Sequence, residues 1–205
     1  MTDTYRVGCV IFDGYETLDI MGPIELLGMY PETFDLVMVA ETKGPIASAQ
    51  GPKCVVDETF ADGGEFDILI VPGGDGTRRE VDNEAMLDWL RSQAPGAAFV
   101  TSVCTGAALL ARAGLLDGKQ ATTNKLAFAW VVSMGPQTEW ITEARWVDDG
   151  RFLTSSGVSA GMDMTLSMIA KTLGTRAAED AALWAEYTWH RDATNDPFAK
   201  AAGLV

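Results

Sequence analysis

The chain is poor in the residues most used for metal and acid–base chemistry. It holds one histidine, His190, and three cysteines, Cys9, Cys54 and Cys104, in 205 residues. That scarcity argues against a thiolate/imidazole zinc site. No carboxylate spacing points to another metal, so neither metal nor cofactor is expected. An odd, widely spaced set of cysteines does not make a disulfide framework and fits a reducing compartment. Basic residues are also few. Fifteen Lys and Arg stand against 29 Asp and Glu, a net charge of −14. Nucleic acid and anionic membranes both demand basic surface, so neither is expected as a partner. No segment approaches the run of roughly 18 apolar residues that a membrane span requires. The start, MTDTYRVGCVIF, enters a strand directly and lacks the pattern of a signal peptide, so a cytoplasmic location is expected.

What is present suits one soluble domain: 47% of residues are apolar and 21% charged. Residues 1–190 read as the domain and 191–205 as a C-terminal tail. Tyr5–Phe12, Phe34–Ala40, Phe66–Val71 and Phe99–Val103 read as strands. Ala47–Val56 suggests a short hairpin, and Ala144–Val147 with Phe152–Thr154 a second one about Asp148-Asp149-Gly150-Arg151. Helices are expected at Leu18–Met29, with Pro23 in its first turns, and at Asn83–Gln93, Thr105–Ala113, Lys125–Met134, Gly161–Leu173 and Ala177–Trp189. Strands alternating with helices indicate an α/β sandwich, mostly parallel and covered on both faces. Ligands of such sheets bind at the C-terminal strand ends. The loop Asp13–Asp19, the turn Pro72-Gly73-Gly74 and the residue Cys104 all fall there.

Cys104 lies where the β-prone run Phe99–Val103 meets the Ala/Leu-rich run Thr105–Leu116, with no turn residues between. The chain must reverse within about two residues, which makes a strand-to-helix elbow. The unpaired N–H groups of a helix start favour a thiolate. The plain alternative is a small buried thiol.

Four segments then carry a family resemblance: VGCVIFDGYETLDIMGPIELL at 7–27, FDILIVPGG at 66–74, TSVCTGAALLARAGLLDGKQATT at 101–123 and DDGRFLTSSGVSAGMDMTL at 148–166. They run through most of the chain in order. The chain resembles the DJ-1/PfpI (ThiJ) superfamily, whose fold is a flavodoxin-like doubly wound sandwich with a nucleophile-elbow cysteine. The Cys-Thr-Gly elbow and the Leu-Asp of the first loop are similar to its isocyanide hydratase branch. The same pattern occurs in amidase-like domains of AraC-type regulators, but the chain ends too soon for an appended helix-turn-helix module, which favours a stand-alone enzyme.

The resemblance implies hydration of an isocyanide to an N-substituted formamide through a cysteine thioimidate. By motif position Cys104 is the nucleophile, Asp19 the proton-handling acid and Thr105 its hydroxyl-bearing neighbour. Backbone donors map to Thr105 and Gly74, with Gly73 beside it. The resemblance also implies a homodimer acting on a small molecule. Two departures stand out. Asn124 replaces the histidine usual after Ala121-Thr122-Thr123, and Thr105 stands where the peptidase-like branch has histidine. No Cys–His pair is therefore expected. Asp19 could equally be a helix-start acid, and Glu16 is its rival. Gly73 and Gly74 could serve only a tight strand exit. The competing functions are a glyoxalase-type or amidase-like enzyme and a ligand or redox sensor built on Cys104.

Overall fold

The computed structural model describes residues 4–205. The first strand, β1 (Tyr5–Val10), leads into α1 (Thr17–Leu27) and β2 (Phe34–Ala40). A small hairpin, β3 (Pro45–Ala47) and β4 (Lys53–Val55), precedes a two-residue strand, β5 (Glu58–Thr59). Then come β6 (Ile68–Val71), α2 (Thr77–Glu80), α3 (Glu84–Gln93), β7 (Phe99–Ser102) and α4 (Gly106–Arg112). The second half runs β8 (Gln120–Ala121), α5 (Phe128–Met134), β9 (Glu139–Trp140), β10 (Trp146–Asp149) and β11 (Phe152–Ser155). It closes with α6 (Ala160–Leu173), α7 (Thr175–Trp184) and α8 (Pro197–Ala201).

Seven strands form the main sheet in the order β10-β11-β7-β6-β1-β2-β5. All pairings are parallel except β10 with β11. The continuous apolar runs explain this. β6 is Ile-Leu-Ile-Val and every residue of it is buried, as both faces of the sheet are covered. Helices α1 and α6 pack together on one side, while α4 packs beside β6 and β7 with α2, α3 and α5 around it. This is the doubly wound, flavodoxin-like architecture read from the sequence.

Chain order reverses at β1, which has β2 on one side and β6 on the other. A crevice opens at such a switch point, at the strands' C-terminal ends. The exits of β1, β6 and β7 meet there.

Three local expectations need correction. Pro23 lies beyond the first turn, seven residues into α1, so the Asp19 carbonyl loses its usual i+4 donor. Helix α7 stops at Trp184 instead of Trp189, where Glu186 takes a positive φ of 48°. The short α2 directly after the Gly-Gly turn was not foreseen, since four residues are too few for a periodic signal. Residues beyond 190 are tied to the body: Arg145 N–H donates to the Ala193 carbonyl (2.8 Å) and Asp196 N–H to the Glu143 carbonyl (2.7 Å). Arg145 is buried and also bonds Asp163 at 2.7 Å, which locks this segment to α6.

Candidate active site

The elbow is strained as its sequence requires. Cys104 has φ +58°, a left-handed conformation that costs a non-glycine residue of order 1 kcal/mol. Its backbone is clamped from both sides. Its N–H donates to the Ser156 carbonyl (3.0 Å), and its carbonyl accepts the Thr123 hydroxyl (2.7 Å). Small residues let the pieces approach. A Cβ on Gly73 would come within 2.5 Å of Thr105 N and Oγ1 and 2.9 Å of Cys104 Cβ.

Asp19 enters from the second residue past Thr17, on the first turn of α1, and is fully buried. Its Oδ2 accepts the Gly73 N–H at 2.8 Å, while Oδ1 has no hydrogen-bond partner among the described residues. Burial, and then the charge of Glu16, push its carboxyl up to about 7, against the lowering effects of the Gly73 N–H and the neighbouring Cys104 thiol. Cys104 responds to the same surroundings. Burial first, and the Asp19 charge second, push its thiol up to about 12. The N–H groups of Thr105 and Val158 and the Asn124 side chain pull the other way, Asn124 Nδ2 standing 3.2 Å from the sulfur. The expected thiolate at a helix start is thus overturned. Desolvation of the sulfur and a neighbouring acid outweigh a few N–H dipoles, so the resting group is a thiol.

The two glycine amides also depart from expectation. Gly73 N–H is committed to Asp19, and Gly74 N–H donates to Thr105 Oγ1 at 3.0 Å. Neither is a free donor toward a reacting atom; they hold the acid and the hydroxyl in place. Gly74 has φ +112°, and a Cβ there would lie 2.5 Å from Glu16 N and from the Gly14 carbonyl. Thr77 Oγ1 extends the network, 2.7 Å from the Gly74 carbonyl and 3.1 Å from Thr105 Oγ1.

Cys104, Thr105, Gly74 and Asn124 line one cavity of about 310 Å³ together with Val158 and Arg78. Glu16, the rival acid, stands in its wall, where its Oε1 accepts the Gln50 amide at 2.9 Å. Asn124 is held by a second bond, its Oδ1 accepting Ala127 N–H at 3.0 Å. Val158 escaped sequence reasoning, because its contribution is a backbone N–H in a residue with φ +45°. His190 stays away from this group; its ring contacts the Asn195 carbonyl. Among the described residues no cluster of three or more His, Cys, Asp or Glu is placed to hold a metal. No helix of the described residues is long and apolar enough to cross a membrane.

The arrangement pairs a buried thiol with a buried acid that titrates near neutrality. A proton can pass between them without an imidazole. Known proteins resemble this chain in sequence and fold. The model of the DJ-1/PfpI family matches residues 5–171. An isonitrile hydratase of Pseudomonas putida is 34% identical over 182 residues, 89% of this chain and 78% of that protein. The transcriptional regulator GbdR of Pseudomonas aeruginosa is 29% identical over 82% of this chain and 47% of its own length. The crystal structure of a THiJ/PfpI family protein from Pseudomonas syringae superposes with a TM-score of 0.83 at 32% identity, covering 91% of this chain and 76% of that one.

Proposed function

The chain belongs to the DJ-1/PfpI family, and from that premise we propose that it is an enzyme hydrating isocyanides to N-substituted formamides. The observation that carries the reading is the buried Cys104 thiol at a cavity without histidine, with the buried Asp19 carboxyl beside it, both pushed up chiefly by burial.

The terminal carbon of an isocyanide takes up a nucleophile and a proton at the same atom. Asp19, ionised above about pH 7, accepts the Cys104 proton as the sulfur–carbon bond forms. It then delivers that proton to the same carbon, giving a thioimidate, R–N=CH–S. Water adds to this carbon with Asp19 again taking a proton, the nitrogen gains one, and the C–S bond breaks. The products are R–NH–CHO and the restored thiol. Thr105 N–H, Val158 N–H and Asn124 Nδ2 face the sulfur and stabilise the negative charge as it develops. The gap of about five pH units between thiol and acid corresponds to roughly 7 kcal/mol. That fits inside the barrier of about 16 kcal/mol for turnover near 10 s⁻¹. Gly73 and Gly74 act as positioning residues through their bonds to Asp19 and Thr105.

Formamide production from an aryl isocyanide by the wild type, with none from Cys104→Ala, tests the reading. Methylglyoxal, offered side by side, separates it from a glyoxalase; turnover of neither compound would leave a sensor. A reducing cytoplasm suits the three free cysteines. A homodimer is part of the same proposal, and light scattering of the purified protein tests it.

A further inference from the structure

Arg78 is unusual among the nine arginines. The other eight each make a side-chain hydrogen bond or ion pair, whereas Arg78 has neither among the described residues. It sits on α2, directly after the Gly-Gly turn, and it lines the cavity that contains Cys104. Its guanidinium carbon stands 3.6 Å from the centroid of the Trp130 ring, and Trp130 itself is outside the cavity lining. The indole therefore backs the guanidinium. Stacking uses one face of the cation and leaves the in-plane N–H fork free. In a chain with 29 acids, this exposed cation on the wall beside the Cys104 thiol has no acidic partner among the described residues.

The planar fork matches a carboxylate, which it binds through two parallel hydrogen bonds. The remaining charges of the wall limit where such a group fits. Glu16 and Asp75 also line the cavity, and Glu16 is engaged by Gln50. Both carboxylates disfavour an anion beside them, whereas Arg78 attracts one. Resting on the isocyanide reading above, we propose that Arg78 is a specificity-determining residue. It receives a carboxylate borne by the substituent of a small isocyanide whose terminal carbon meets Cys104.

The test compares isocyanoacetate with its methyl ester, which carries the same reacting group without the charge. In Arg78→Ala the acid-to-ester ratio of kcat/KM should fall about tenfold or more, the loss of one charge-assisted bidentate pair, and mostly through KM for the acid. Arg78→Lys should restore only part of it, because an ammonium keeps the charge and loses the fork. An unchanged ratio in Arg78→Ala overturns the proposal and leaves the hydration reading intact. Failure of the wild type to hydrate either compound overturns hydration instead. A second readout then decides Arg78 without turnover: alkylation of Cys104 by iodoacetate against iodoacetamide, with Cys54 in the same sample as reference. The preference of Cys104 for the anionic reagent, relative to Cys54, should drop about threefold or more in Arg78→Ala. No change there refutes a role for Arg78 toward anions.

Discussion

Replacing Asp19 by Asn should move thiol reactivity and catalysis in opposite directions. The carboxylate charge is the second largest reason, after burial, that the Cys104 thiol is pushed up to about 12. At an effective dielectric constant of about 20, a neighbouring unit charge contributes roughly 3 kcal/mol, or about two pH units. Removing it should speed alkylation of Cys104 by about ten- to a hundredfold at a given pH, since the thiolate is the reacting species. The effect has a pH signature. Below about pH 7 the wild-type Asp19 is itself protonated, so the two proteins should react alike; above it the gap should open. Turnover should nevertheless drop by about two to four powers of ten, because the proton acceptor is gone. The Asn carbonyl still accepts the Gly73 N–H, so the local fold survives. Iodoacetamide rates read by peptide mass spectrometry from about pH 5 to about pH 9, beside formamide production, check this. A rate ratio that is flat with pH, or alkylation that slows along with turnover, would refute the coupling of the two groups. The same variant tests linkage. The folded-state carboxyl at about 7 lies above the ordinary 3.8, so the folded chain keeps a proton that the unfolded chain releases. Stability is therefore lost as pH rises from about 4 to about 7, by up to about 4 kcal/mol. Asp19→Asn should be more stable than wild type in urea at pH 8 and equal to it near pH 4.

Gly73→Ala should destabilise the fold by about 2 kcal/mol or more and abolish turnover, as its Cβ would press on Thr105 N and Oγ1 at 2.5 Å and displace the amide that holds Asp19. Urea unfolding and the formamide assay read both effects. Asn124→Asp keeps the acceptor for Ala127 N–H but turns the donor facing the sulfur into a negative charge, so turnover should fall about tenfold or more. Asn124→His should fold and should change the preference among isocyanides; identical kinetics across several substrates would show that position 124 does not shape the pocket. Limiting iodoacetamide near neutral pH should modify half-buried Cys54 before Cys104, and Cys9, wholly buried and pushed up to about 12, last. Mass spectrometry showing Cys104 first would mean that its thiol is far more acidic than its burial implies.

The sequence by itself determined the architecture and the elbow on which Cys104 sits. A run such as Ile68–Val71 is apolar on both faces, which suits a covered parallel sheet. The abrupt change from β-prone to Ala/Leu-rich residues at Cys104 leaves the chain no choice but an elbow, and the turn after Val71 needs glycine for its close approaches. Asp19 was legible only through the family resemblance, since an acid opening a helix is otherwise ordinary. Tertiary structure alone decided the proton affinities of Cys104 and Asp19. Proton affinities depend on burial and on charges brought from distant segments, so the helix-start argument for a thiolate failed once Asp19 and the surrounding core closed over the sulfur. Backbone donors carry no side-chain signature. The Val158 N–H facing the sulfur, and the use of the Gly73 and Gly74 amides to hold Asp19 and Thr105, were fixed by which strand ends meet at the crevice. The stack of Arg78 on Trp130 joins residues 52 positions apart, on two helices that local periodicity could not relate.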